Sequence, residues 1–174
     1  WRDSQPDDII IVKQEKIDSL NKIVDRLVKH PKLVKYLSNP CITEKTYEKK
    51  INGFNVKGVI DLVSNNDGCN IVIDWKFVSS LIFDSFSKKA LYQHYDLQAS
   101  VYDFIVEPNN VYFCIIESEE PHRIKLYHCD SSFLDSGAKK FSTAFEILKT
   151  NNWREPNFDI NEVDELMSWE NYNG

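Results

Sequence analysis

The sequence predicts an α+β fold: a central mixed sheet of about five strands, an antiparallel meander plus a later strand pair, flanked by helices. Three observations predict it. Two apolar runs, Gly58–Val63 and Ile71–Lys76, are separated by the polar cluster Ser64-Asn65-Asn66-Asp67-Gly68, the sequence form of a hairpin. Helical periodicity occupies Gln14–Leu37 and Tyr95–Val106. Two further β-rich runs, 111–117 and 123–129, lead into a long amphipathic segment.

Residues 1–13 pair a polar start with the run Ile9-Ile10-Ile11-Val12 and are expected to be an extension, or a connection from a larger chain. From Gln14 on, Ile17, Leu20, Ile23-Val24, Leu27-Val28, Leu33-Val34 and Leu37 recur at helical spacing. Pro31 interrupts the pattern and fits the first position of a second short helix, with His30 ending the first. Residues 43–51 form a first strand turning at Asn52-Gly53 into Phe54–Val63, and 69–76 form the third. The second and third strands are apolar at nearly every position, which expects both faces covered and a central place in the sheet. Residues 81–94 form an aromatic-rich loop or helix whose Phe83 and Phe86 are expected in the core, with a wedge against bases as the alternative. Asp130-Ser131-Ser132 caps a helix from about 132 to 150. After it come Trp153, Pro156 and an acidic tail, 156–174, with a short helix around Glu162–Trp169.

A length of 174 residues suits one domain, placed at 14–155, and 42% hydrophobic with 13% aromatic residues excludes a disordered chain. No apolar run approaches the ~20 residues of a membrane span, and no signal peptide is present, so a cytoplasmic protein with no membrane partner is expected. The four cysteines, Cys41, Cys69, Cys114 and Cys129, are widely spaced without a C-x-x-C pair, which argues against zinc and iron–sulfur sites and for reduced, mostly buried thiols. The net charge of −6 opposes a broad nucleic-acid surface but leaves room for local basic groups at Lys49-Lys50, Lys57, Lys88-Lys89, Arg123-Lys125 and Lys139-Lys140.

Chemistry enters where charge interrupts the apolar strands. Asp61, Asp74 and Lys76 lie in or at the end of them, and an uncompensated buried carboxylate is costly. Alternation sends Asp74 and Lys76 the same way, and a hairpin brings Asp61 beside them. Two carboxylates and an ammonium on one face make a site for a divalent cation and a water. In the next helix Gln98 and Tyr102, at i and i+4, share a face, where a glutamine can reach a phosphate or order a water and a phenol can donate to a phosphate oxygen. His122 and His128 lack ligand spacing and are expected to be structural.

The order Glu44, Gly58-Val59-Ile60-Asp61, Asp74-Trp75-Lys76 and Gln98-Ala99-Ser100-Val101-Tyr102 resembles the RecB-type branch of the PD-(D/E)xK nucleases, and most of all the nuclease domain of phage RecE-type exonucleases. The likeness covers most of residues 20–155 and continues through Val111–Glu117, Pro121 and Ser136-Gly137. It implies a restriction-endonuclease-like α/β/α arrangement. It implies that Asp61, Asp74, Lys76, Gln98, Tyr102 and Glu44 are the catalytic set, with Mg²⁺ or Mn²⁺ on Asp61, Asp74, the main-chain carbonyl of Trp75 and, as an open assignment, Glu44. Glu48 is the rival to Glu44. Where the family carries a hydroxyl after its lysine, this chain has Phe77-Val78-Ser79-Ser80, and where relatives carry a histidine two residues before the glutamine it has Asp96.

By the same resemblance the substrate is DNA, at duplex ends cut 5′ to 3′ during recombination or phage DNA metabolism. A single-strand annealing protein partner and a homo-oligomeric ring go with that type. Two other readings stand beside it: a single-strand DNA exonuclease of the RecB or mitochondrial type, and a non-catalytic DNA- or protein-binding module on the same fold.

Overall fold

The computed structural model describes residues 12–150 apart from 52, 67 and 82, and leaves out the side chains of 66 and 83–85. The expected short helix around Glu162–Trp169, the tail and the run Ile9–Ile11 lie outside the described residues, as does the Phe83 side chain. Contacts divide the chain into Trp1–Phe141 and Ser142–Gly174. Of the second unit, 142–150 are described; they complete the last helix, with a Lys149–Glu146 ion pair 3.2 Å long.

The elements run α1 (Gln14–Lys29), α2 (Leu33–Leu37), β1 (Cys41–Ile51), β2 (Phe54–Asn66), β3 (Cys69–Val78), α3 (Phe83–Tyr92), α4 (Tyr95–Val106), β4 (Asn110–Glu117), β5 (Ile124–His128) and α5 (Ser131–Lys149). The five strands stand in sequence order, β1-β2-β3-β4-β5. The first three form the expected antiparallel meander, and the pairs Ile51↔Phe54 and Asn66↔Cys69 leave two residues for each turn. β4 is parallel to β3 and antiparallel to β5, so the sheet is mixed, with α3 and α4 forming the crossover.

One face of the sheet packs Ile60, Val63, Val72, Phe113 and Ile115 against Phe86 and Ala90 of α3 and Ala99, Tyr102 and Ile105 of α4. The other packs Leu62, Ile71, Ile73, Cys114 and Ile116 against Ile23 and Leu33 of α1 and α2. Ile60 and Val63 are three apart yet share one cluster, which a regular strand of period two does not allow. β2 is therefore kinked between them, at Asp61. Across from the kink β1 breaks its own regularity: Glu44 has φ +49°, and the ladder skips from Thr43↔Leu62 to Lys45↔Ile60.

Four expectations need correction. Pro31 does not open α2, which starts at Leu33; Pro31 sits in the turn before it. His30 holds that turn, its carbonyl accepting from the Val34 amide and its Nδ1 from the Leu33 amide, so α2 starts without proline's help. The cysteines are all free, but Cys41 and Cys69 are exposed, because each lies at a strand end outside both clusters, and only Cys114 and Cys129 are buried. Complete cover of β2 and β3 fails at their outer parts, where Val59 and Phe77 are more than half exposed. The first four strands run one to three residues longer than their sequence patterns, and the last, β5, is two residues shorter than the expected 123–129.

Phe86 is a core residue, as expected, packed on Tyr95 and Tyr127. Asp130 caps α5 through the amide of Phe133 and the hydroxyl of Ser132. Its carboxyl is held below the ordinary range by those bonds.

Candidate active site

Asp74 is at the centre. It is 2% exposed, in the middle of β3, on the face that α4 covers. Gln98 Nε2 donates to its Oδ1 at 3.0 Å, and Tyr102 Oη lies 3.2 Å from the same oxygen and 3.3 Å from the carbonyl of Val59. Gln98 Nε2 also reaches Tyr102 Oη at 2.7 Å. The i, i+4 pair therefore grips the carboxylate rather than standing free toward solvent. The grip depends on α4 lying close to β2. A Cβ on Gly58 would stand 2.9 Å from Ile105 Cδ1 and 3.5 Å from the Tyr102 ring, so glycine at 58 is what admits the helix.

Burial pushes the Asp74 carboxyl above its ordinary value, the Asp61 charge adds to that, and contacts with Lys76 and Tyr102 offset only part of it. Burial, followed by the Asp74 charge, likewise pushes the Tyr102 phenol up. Asp74 Oδ2 is fully buried and accepts no well-aligned hydrogen bond; Lys76 Nζ lies 2.6 Å from it.

Asp61 reaches the same place from β2. The β2–β3 ladder ends at Leu62↔Ile73, and beyond it the Trp75 amide donates to Asp61 Oδ2 at 2.9 Å. Asp61 and Asp74 follow Val63 and Val72 in the alternation of their strands, and those two are a cross-strand pair in one cluster. Both carboxylates thus turn to the α4 face. A strand residue sends its N–H and C=O to the same edge, so the Trp75 carbonyl faces the notch where the ladder has ended.

Lys76, its side chain 18% exposed, projects from the end of β3. Its Nζ lies 4.7 Å from the centre of the Tyr95 ring and 5.6 Å from that of Phe113. Sequence reasoning did not assign these aromatics to the site. A signal was present: Tyr95, Gln98 and Tyr102 stand at i, i+3 and i+7 of α4, one face of the helix.

The start of α4 is fixed by a second buried carboxylate. Asp96 is fully buried and takes Ser136 Oγ at 2.7 Å and Lys140 Nζ at 2.7 and 2.8 Å from α5. Burial raises its carboxyl, and those two partners more than offset this, leaving it below the ordinary value. A Cβ on Gly137 would lie 1.9 Å from the Asp96 carbonyl oxygen, so the Ser136-Gly137 pair noted in the sequence is where α5 meets α4.

Of the six residues expected in the site, the structure brings Asp61, Asp74, Lys76, Gln98 and Tyr102 together. Glu44 is different. Register places it opposite Asp61, whereas Glu48 pairs with Lys57. Glu44 is exposed and makes no hydrogen bond or ion pair among the described residues. Three of the basic candidates are engaged in the fold: Lys49 with Glu107 and the Phe104 carbonyl, Arg123 with Glu117, and Lys140 with Asp96. His122 is buried between Ser19 Oγ at 3.1 Å and the Glu117 carbonyl at 3.2 Å. His128 lies 2.9 Å from Asn110 Oδ1, so both histidines have structural partners.

The donor set fits a hard divalent cation: carboxylate oxygens, a main-chain carbonyl, and a buried oxygen without a hydrogen bond. Among the described residues no three His, Cys, Asp or Glu side chains are grouped to hold a metal ion. A cation here would have two carboxylates and a main-chain carbonyl from the protein and would need water for the rest of its shell, which suits Mg²⁺. No helix among the described residues is long and apolar enough to cross a membrane.

Comparison with known proteins agrees with the fold. A presumed exonuclease from Eubacterium rectale shares the fold at TM-score 0.62 and 20% identity, over 89% of this chain and 64% of its own length. The chain thus spans less than two thirds of that protein. A phage-related exonuclease from Haemophilus somnus 129PT matches at TM-score 0.48 and 14% identity, over 82% of this chain and 76% of its own. No curated protein sequence matches. Residues 4–156 match the PDDEXK-like domain of unknown function (DUF3799), and the chain belongs to that family.

Proposed function

We propose that this protein is a metal-dependent DNA nuclease, and specifically an exonuclease of the RecE type that degrades duplex ends from 5′ to 3′. The observation that carries the reading is the convergence of Asp61 and Asp74 from neighbouring strands on one face, with Lys76 Nζ 2.6 Å from Asp74. Asp61, Asp74 and the Trp75 carbonyl would hold Mg²⁺ or Mn²⁺, with Glu44 the further candidate from β1. The ion, when bound, supplies Lewis-acid polarisation of the phosphate and lowers the pKa of a water.

The chain's own groups do the rest. Asp61 and Asp74 set the place of the negative pole. Gln98 and Tyr102 hold Asp74 Oδ1 and so fix the carboxylate in one rotamer, which leaves Oδ2 beside Lys76 Nζ without reorganisation. Lys76 orients the attacking water and faces the charge that grows on the phosphate; between two carboxylates its work is electrostatic rather than that of a base. The exposed Lys88 and Lys89 of α3 offer contacts to the DNA backbone.

The test uses duplex and single-stranded DNA labelled at either end, with Mg²⁺ or Mn²⁺. The reading expects loss of duplex ends, 5′ label first, by the wild type, and none by Asp74→Asn or Lys76→Ala, both folded. Preference for single strands favours the RecB-like alternative. Equal cleavage by wild type and Asp74→Asn removes the assignment.

A further inference from the structure

Lys76 is held on three sides, and only one of them is a carboxylate. Its ammonium touches Asp74 Oδ2 at 2.6 Å and lies over two ring faces, Tyr95 at 4.7 Å and Phe113 at 5.6 Å. We propose that Tyr95, backed by Phe113, is the seat that positions the Lys76 ammonium, which makes it a positioning residue for the reaction at Asp61 and Asp74. The proposal rests on the nuclease reading above.

Lysine carries a compact charge on a flexible four-carbon stem, and one tether does not fix it. Its tether to Asp74 runs to Oδ2, the oxygen that a bound cation would also need. An aromatic face attracts an ammonium through its quadrupole and uses no oxygen, so it keeps its hold whatever Asp74 does.

Tyr95 is built for that place. His94, at φ +55°, closes the turn after α3, and α4 begins with Tyr95 as its first residue. The ring is braced by Phe113, centroid to centroid 5.5 Å, and by Phe86 at 6.2 Å. Phe113 is itself 2% exposed and stands beside Asp74 in the β3–β4 register. One face of α4 therefore carries the grip on Asp74, through Gln98 and Tyr102, and the seat for Lys76, through Tyr95. The Asp96 clamp to α5, one residue further on, anchors both.

Two measurements test it. In metal-free protein without DNA, ring currents place the ε-methylene protons of Lys76 upfield of those of exposed lysines; the resonance is assigned by its loss in Lys76→Met. It stays upfield in Tyr95→Phe, which keeps the ring face, and returns to the exposed position in Tyr95→Leu. In cleavage assays Tyr95→Leu loses about tenfold or more in kcat with KM for DNA little changed, while Tyr95→Phe stays within about twofold of wild type. An unshifted Lys76 resonance in the wild type, a shift that persists in Tyr95→Leu, or full-speed cleavage by Tyr95→Leu overturns the seat. If Tyr95→Leu does not fold, the wild-type resonance decides alone. A wild type that cleaves no DNA removes the nuclease reading, and the resonance still decides the seat.

Discussion

The main-chain amide of Trp75 donates to Asp61 Oδ2 at 2.9 Å, so a side chain of β2 binds β3 just where the ladder between them stops. Asp61 has two jobs as a result: it closes the sheet at the kink and it brings charge to Asp74. The two can be separated by substitution. Asp61→Asn keeps an acceptor for the amide, and Asp61→Ala leaves that N–H without one, at a cost of about 1–3 kcal/mol. Thermal unfolding should show Asp61→Ala clearly less stable than Asp61→Asn, with both inactive on DNA.

Tyr102→Phe removes one of the two donors on Asp74 Oδ1 while keeping the ring beside Ile105 and Gly58. A fall in kcat of about tenfold is expected, in the range of one lost hydrogen bond to a charged group. Unfolding should be nearly unchanged. Gln98→Ala acts on the same oxygen and should combine with Tyr102→Phe less than additively, because Gln98 Nε2 contacts both Asp74 and Tyr102.

Gly137 lies inside α5, where alanine ordinarily stabilises a helix by about 1 kcal/mol. Here the sign reverses. The added Cβ would meet the Asp96 carbonyl oxygen at 1.9 Å, and the backbone at the start of α4 cannot give way without disturbing Gln98. Denaturant titration should show Gly137→Ala less stable by about 3 kcal/mol.

Glu117 sets a pH dependence remote from the site. Paired with Arg123 at 2.7 and 2.9 Å and accepting from the Leu81 amide, its carboxyl is held down from 4.5 to about 2. A carboxyl lowered in the folded state binds its proton more readily when unfolded. Its stabilisation is complete above the unfolded value and fades as pH falls from about 4.5 toward 2. Glu117→Gln should flatten the loss of stability across that window, measured by unfolding at each pH.

Much of this was legible in the chain. The Asn/Asp-Gly turns and β-rich runs placed the meander, since hairpin register follows from turn length, and that register, carried one step past its last pair Leu62↔Ile73, sets Asp61 opposite Asp74. Helical spacing put Gln98 and Tyr102 on one face of α4. Three features escaped because each depends on a partner distant in sequence. The grip of Gln98 and Tyr102 on Asp74 needs α4 laid tightly over β2 at Gly58. The seat of Lys76 needs Phe113 delivered by a parallel strand. The break in the β1–β2 ladder at Glu44 and Asp61 has a signature only in the backbone, at a φ of +49° that no residue type announces.

The account turns on Asp61 and Asp74 sharing one divalent cation. Calorimetric titration of the protein with Mn²⁺, without DNA, tests this most directly, with Asp61→Asn and Asp74→Asn titrated beside the wild type. The expected result is saturable binding by the wild type, weakened at least about tenfold in either variant. Equal Mn²⁺ affinity in all three proteins, or no binding by the wild type at millimolar metal, would contradict it.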